Sequence, residues 1–97
     1  MPAYVIVNVH VTDPELYAEY AAGVPATIER FGGRYLARGG AVDVREGDWS
    51  PERLVVLEFA DEDTARAWYE SDEYTRLREI RQRASTAEFV ITEGLAT

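Results

Sequence analysis

The sequence predicts an α+β fold: one antiparallel four-stranded sheet with its helices on a single face. Three observations predict it. Tyr4 to Val11 alternates a pure β-branched row (Val5, Val7, Val9, Val11) with Tyr4, Ile6, Asn8 and His10, as a strand covered on one whole face requires. Leu16, Tyr17, Tyr20, Val24, Ile28 and Phe31 recur at helical spacing, and a second helical stretch follows residue 61. Further apolar strand segments sit between and after these helices, giving the order β-α-β-β-α-β.

Each element has its own signals. The first strand spans Ala3 to Val11. Thr12-Asp13-Pro14-Glu15 starts a helix, with Asp13 capping before Pro14 or Thr12 forming a capping box with Glu15. Pro25 lacks an amide donor and should kink that helix near Ala21; Gly32-Gly33 ends it. Arg34 to Arg38 reads as a second strand, interrupted by a bulge at Gly39-Gly40 and continued by Ala41 to Glu46. Gly47 to Pro51 is a turn. Arg53 to Phe59 is the third strand, paired with Ala41–Glu46 as a hairpin. Asp61 caps a helix presenting Ala65, Trp68 and Tyr69, and Ser71-Asp72 breaks it and caps the next. That helix carries Tyr74, Leu77, Ile80 or Arg81, and Ala84, with Glu79 and Arg83 four apart in the favourable order. Glu88 to Glu93 is the fourth strand, and Gly94 to Thr97 a loose tail. One domain over residues 1–97, ordered over about 3–94, follows from the length.

Two right-handed crossovers in this order give the split βαβ, or ferredoxin-like, architecture. Its helices cover one sheet face only. The alternation assigns Val5, Val7 and Val9 to the helices and Tyr4, Ile6, Asn8 and His10 to the uncovered face. Leu36, Arg38, Leu54, Val56, Glu58, Glu88, Val90 and Thr92 join that face. The result is an apolar floor of Ile6, Leu36, Leu54, Val56 and Val90, with Asn8, His10, Glu58 and Arg38 expected as neighbours at one end. That face must meet solvent, a ligand or another subunit; its apolar floor favours another subunit, so a homodimer is expected, with a ligand pocket between the two sheets.

Composition narrows the function. A net charge of −8 argues against nucleic acid and anionic membranes as partners. All ten basic residues are arginine, so lysine Schiff-base chemistry is excluded. The absence of cysteine excludes disulfides, thiolate metal sites and cysteine nucleophiles, and fits a cytoplasmic location. No signal peptide, membrane span, metal or cofactor is expected.

Several segments together resemble one known family: Tyr4-Val5-Ile6-Val7-Asn8-Val9, Thr12-Asp13-Pro14, Phe31-Gly32-Gly33-Arg34-Tyr35, Leu36-Ala37-Arg38-Gly39-Gly40, Glu46-Gly47-Asp48-Trp49, Pro51-Glu52-Arg53, Leu57-Glu58-Phe59, Ala67-Trp68-Tyr69 and Ser71-Asp72-Glu73-Tyr74. The chain resembles the domain-of-unknown-function 1330 family (DUF1330), in the dimeric α/β-barrel superfamily, from about Ala3 to Gly94. The resemblance implies a ferredoxin-like fold and a homodimer with its sheets face to face, but no settled reaction. The superfamily includes cofactor-free monooxygenases, lactone isomerases and haem enzymes, and fold does not fix function.

The candidate site residues each carry two readings. His10, the single histidine, is a general base or a hydrogen-bonded strand-end residue. Glu58 is an acid or base with a pKa raised by burial, or the partner of Arg38 or Arg53 in an ion pair. Arg38 clamps a substrate carboxylate or belongs to that pair. Asn8 binds a ligand or serves structure. Trp49, in a turn, is a lid or a dimer contact. Tyr4, Leu36 and Val56 would line the pocket. Three functions follow: a homodimer binding a small, apolar-bodied and carboxylated metabolite; a cofactor-free oxygenase or isomerase with His10 as base and Arg38 and Asn8 stabilising an enolate; or a structural module with a filled barrel.

Overall fold

Side-chain caps divide the chain where the sequence places them. The computed structural model describes residues 1–96, so Thr97 of the expected tail lies outside the described residues. Asp13 accepts from the Leu16 amide with Pro14 in the first helical turn. Asp61 accepts from the Thr64 amide at 2.7 Å. Ser71 donates to the Trp68 carbonyl and accepts from the Tyr74 amide, closing one helix and opening the next. The elements are β1 (Ala3–Val11), α1 (Pro14–Arg30), β2 (Arg34–Arg38), β3 (Leu54–Phe59), α2 (Glu62–Glu70), α3 (Asp72–Ala84) and β4 (Ser85–Glu93). α1 ends in a Schellman motif: Gly33 donates to the Ile28 carbonyl, Gly32 to that of Glu29, and Gly32 has φ +71°.

The sheet order is β2-β3-β1-β4, every neighbouring pair antiparallel. This is the expected ferredoxin-like α+β fold. Ala3, Val5, Val7 and Val9 of β1 are buried beneath the helices with Leu57 and Phe59 of β3. Helix residues Tyr17, Tyr20, Val24, Ile28, Ala65, Trp68, Tyr74 and Ala84 close that core. Trp68 donates its indole N–H to Thr27 Oγ1 at 3.0 Å, so the largest buried side chain leaves no polar group unmet.

Three sequence expectations are corrected. The segment Ala41–Glu46 is not a strand: residues 39–53 form an irregular exposed loop, and β3 pairs with Arg34–Arg38 instead. Gly39 (φ +71°) turns the chain out of the sheet while its amide still donates to the Leu54 carbonyl. The alternating Val42 and Val44 then have no neighbouring strand, and both are exposed. The bulge lies at Leu36, between the pairs Tyr35↔Leu57 and Ala37↔Val56, and not at Gly39-Gly40. β4 begins at Ser85, three residues before its expected start, because its register with β1 runs unbroken to Val11↔Ser85.

Candidate functional site

The bulge decides where the cations go. An extra residue in one strand reverses the facing of everything after it. Arg38 therefore pairs with Val55, on the helix side of the sheet, and Ala37 takes the place beside Val56. The expectation that Arg38 lies on the uncovered face with Glu58 is overturned. Glu58 pairs with neither Arg38 nor Arg53; it accepts from Arg34 Nε at 2.8 Å.

The uncovered face otherwise carries the expected residues. Tyr4, Ile6 and Asn8 stand opposite Glu58, Val56 and Leu54. The polar groups, however, gather at two separate ends and do not converge. At the Tyr4 end is the Arg34–Glu58 pair. At the other end His10 Nδ1 lies 2.6 Å from Glu52 Oε2, and Asn8 Nδ2 donates to Glu88 at 3.2 Å. His10 and Glu52 are both exposed, and Asn8 Oδ1 is buried without a partner. Leu36 is 46 % exposed at the bulge, Val90 55 % on the uncovered face and Trp49 57 % in the loop. Among the described residues, no three His, Cys, Asp or Glu side chains are grouped to hold a metal ion.

A different site lies on the helix side. Between α1 and the sheet is a chamber walled by Val7, Val9, Val55, Leu57, Val24 and Ile28. Tyr17, Tyr20, Tyr35, Trp68 and Phe89 add aromatic surface, and Arg38 and Arg53 supply its cations. Its volume is about 30 Å³, space for one or two waters, and one side opens to solvent. No carboxylate or histidine is in the lining.

Both arginines are placed by local chain chemistry. Pro25 has no amide hydrogen, so the carbonyl four residues back, Ala21, loses its helical donor. Arg38 Nη2 donates to that oxygen at 3.4 Å, and its guanidinium lies 4.6 Å from the Tyr35 ring centre. Arg53 Nε donates to Tyr17 Oη at 3.3 Å, with the guanidinium 5.5 Å from the same ring. Gly39 makes this possible: a Cβ there would sit 2.6 Å from Arg53 Nη1. Behind Tyr20 and Phe89 lies Arg81, 5 % exposed, its guanidinium 6.0 and 5.4 Å from their rings and its Nε unpartnered. Among the described residues, none of these three guanidiniums has a carboxylate within 4.0 Å.

Two phenols of the chamber, Tyr20 and Tyr35, hold their protons more tightly than usual. Burial pushes Tyr35 and Tyr20 above the ordinary phenol value; for Tyr20 the nearby Tyr74 hydroxyl, 2.9 Å away, adds to the effect. The chamber thus offers apolar walls, neutral hydroxyls and fixed positive charge. Sequence reasoning missed Arg53 and Tyr17 because it searched the other face; Pro25 in mid-helix was the available signal that a carbonyl near Ala21 needed an outside donor.

Fold and site together define a ferredoxin-like α+β subunit with a small cationic chamber behind its first helix and an open apolar sheet face. More particularly, the chain belongs to the family described as Domain of unknown function (DUF1330), whose sequence profile matches residues 2–95. No curated protein matches it. It is similar in structure to RPA0582, a protein of unknown function from Rhodopseudomonas palustris (TM-score 0.75, 16% identity, 99% of this chain and 84% of that one). A dimeric ferredoxin-like protein of unknown function from Jannaschia sp. CCS1 is also similar (TM-score 0.75, 12% identity, 97% of this chain and 100% of that one). So is SnoaB, a cofactor-independent oxygenase from Streptomyces nogalater (TM-score 0.66, 15% identity, 99% of this chain and 95% of that one). At these identities the likeness is one of fold. No helix is long and apolar enough to cross a membrane among the described residues.

Proposed function

We propose that this protein is a homodimer joined through its uncovered sheet faces, and that each subunit binds a small metabolite in the chamber behind α1. The observation that carries the binding reading is the chamber itself: apolar and aromatic walls with Arg38 and Arg53 in the lining, the mix of groups a small-molecule site uses. The dimer is supported by the exposed apolar Val90 and Leu36 beside Ile6, Leu54 and Val56, and by similar proteins that are dimeric. A thermal-shift screen of aromatic acids, lactones and quinones tests the binding reading; a ligand that raises the melting temperature of the wild type but not of a chamber-filling Val24→Trp variant supports it. Failure of the whole panel to stabilise the wild type contradicts it.

A second reading is a cofactor-free enzyme, favoured by the likeness in fold to SnoaB. Fixed guanidiniums beside an apolar chamber would stabilise a developing enolate. His10 lies on the opposite sheet face and cannot act as base for a ligand behind α1. Catalysis with His10, Glu58 and Asn8 would have to occur between the sheets of the dimer, with Tyr4, Val56 and Trp49 around it. His10→Ala separates the locations: it abolishes turnover between the sheets and leaves binding behind α1 unchanged.

A further inference from the structure

We propose that the ligand of the α1 chamber is a monoanionic carboxylate with a small apolar or aromatic body, its carboxylate gripped by Arg38 and Arg53. This rests on the reading of the chamber as a ligand site and adds the chemical class.

The charge distribution carries it. The chain has a net charge of −8, with eighteen acidic residues against ten arginines. Arg30, Arg34, Arg45 and Arg66 each have a carboxylate partner. Of the six arginines without one among the described residues, Arg38 and Arg53 are the two that line the chamber. Arg38 rests on a ring face and a backbone carbonyl; Arg53 rests on a ring face and a phenol oxygen. Neutral partners fix each guanidinium in place but leave its charge uncompensated and most of its N–H donors free. Such a planar fork matches a carboxylate bidentately. Arg81, buried behind the wall with its Nε unpartnered, adds positive charge that water screens little.

The walls set the rest of the ligand. Val55, Leu57, Val7 and Val9 offer no hydrogen-bonding side chain, so the body is apolar. At about 30 Å³ the chamber admits only a group the size of a water or two, so the carboxylate occupies its opening and the body rests outside it. A second charge on the ligand would meet apolar wall and is disfavoured.

The test compares matched pairs by titration calorimetry on the dimer: benzoate with benzamide, and phenylacetate with phenylacetamide. The acids should bind at least tenfold tighter than the amides, and added salt should weaken the acids alone. Arg53→Met and Arg38→Met should each remove that advantage while leaving the amides unchanged; Arg53→Lys should restore part of it. Arg34→Met, on the other face, should change nothing. Equal binding of acid and amide overturns the anionic assignment while leaving the chamber as a ligand site. Carboxylate binding indifferent to both chamber variants overturns it too, by placing the site elsewhere. No binding of any member overturns the assignment and the chamber reading together. A variant that loses its fold is replaced by Gly39→Ala, which displaces Arg53 without removing it and should lower the preference for the acid.

Discussion

The two halves of the layer between sheet and helices are filled differently. Beneath α2 and α3 the filling is aromatic: Trp68 lies 5.3 Å from Phe59, 4.2 Å from Tyr74 and 6.1 Å from Phe89, centre to centre. Beneath α1, on the β2–β3 side, aliphatic residues and tyrosines leave a chamber edged with arginine. α1 carries Gly23 where it meets α3, and a Cβ there would come 2.8 Å from Leu77 Cδ2. Gly23 thus lets α1 pack closely against α3. One half is filled by aromatic rings; the other keeps the chamber proposed to take a ligand. A similar division separates the sheet's faces, one sealed by helices and one left with Val90 and Leu36 open.

The largest effect should come from erasing the contrast. Trp68→Ala opens a void in the packed half, removes the donor to Thr27, and should cost about 3–5 kcal/mol, measured by urea denaturation. Val56→Asp attacks the open face. A carboxylate buried in the proposed dimer interface costs on the order of 3 kcal/mol or more, so light scattering at micromolar concentration should find the wild type dimeric and this variant monomeric. Arg53→Met sharpens the comparison from the other side: ligand affinity should fall about tenfold, roughly 1.4 kcal/mol, while the denaturation midpoint barely moves. Gly39→Ala places a side chain at φ +71° and should cost about 1 kcal/mol of stability, with a larger loss of carboxylate affinity.

The smallest effect appears only in alkali. Burial holds the phenols of Tyr20 and Tyr74 above their ordinary 10.0. The folded chain keeps them neutral at a pH where the unfolded chain ionises. Their contribution is fully present below about pH 10 and is lost as pH rises above it. Tyr20→Phe should flatten that decline in a stability-against-pH series.

The topology was legible because it is written in periodicity and caps. The valine row of β1, Asp13-Pro14, Asp61 and Ser71 each act through local geometry, and each stands in the structure where its pattern places it. The site was less legible because it depends on register. Leu36 looks like any strand residue; only its failure to find a partner on β3 makes it a bulge, and that single slip carries Arg38 through the sheet. Gly39-Gly40 drew attention as the irregular point, yet the role of Gly39 is to admit Arg53. The loop of residues 39–53 shows why alternation alone misleads: Val42 and Val44 have the pattern of a strand, but no neighbour in this subunit pairs with them.

A crystal structure of the dimer soaked with phenylacetate tests the central claim most directly. The expected result is a carboxylate within hydrogen-bonding distance of Arg38 and Arg53, its ring against Tyr35 and Val55 behind α1. A ligand lodged between the sheets beside His10 and Asn8, with the α1 chamber unchanged, would contradict it.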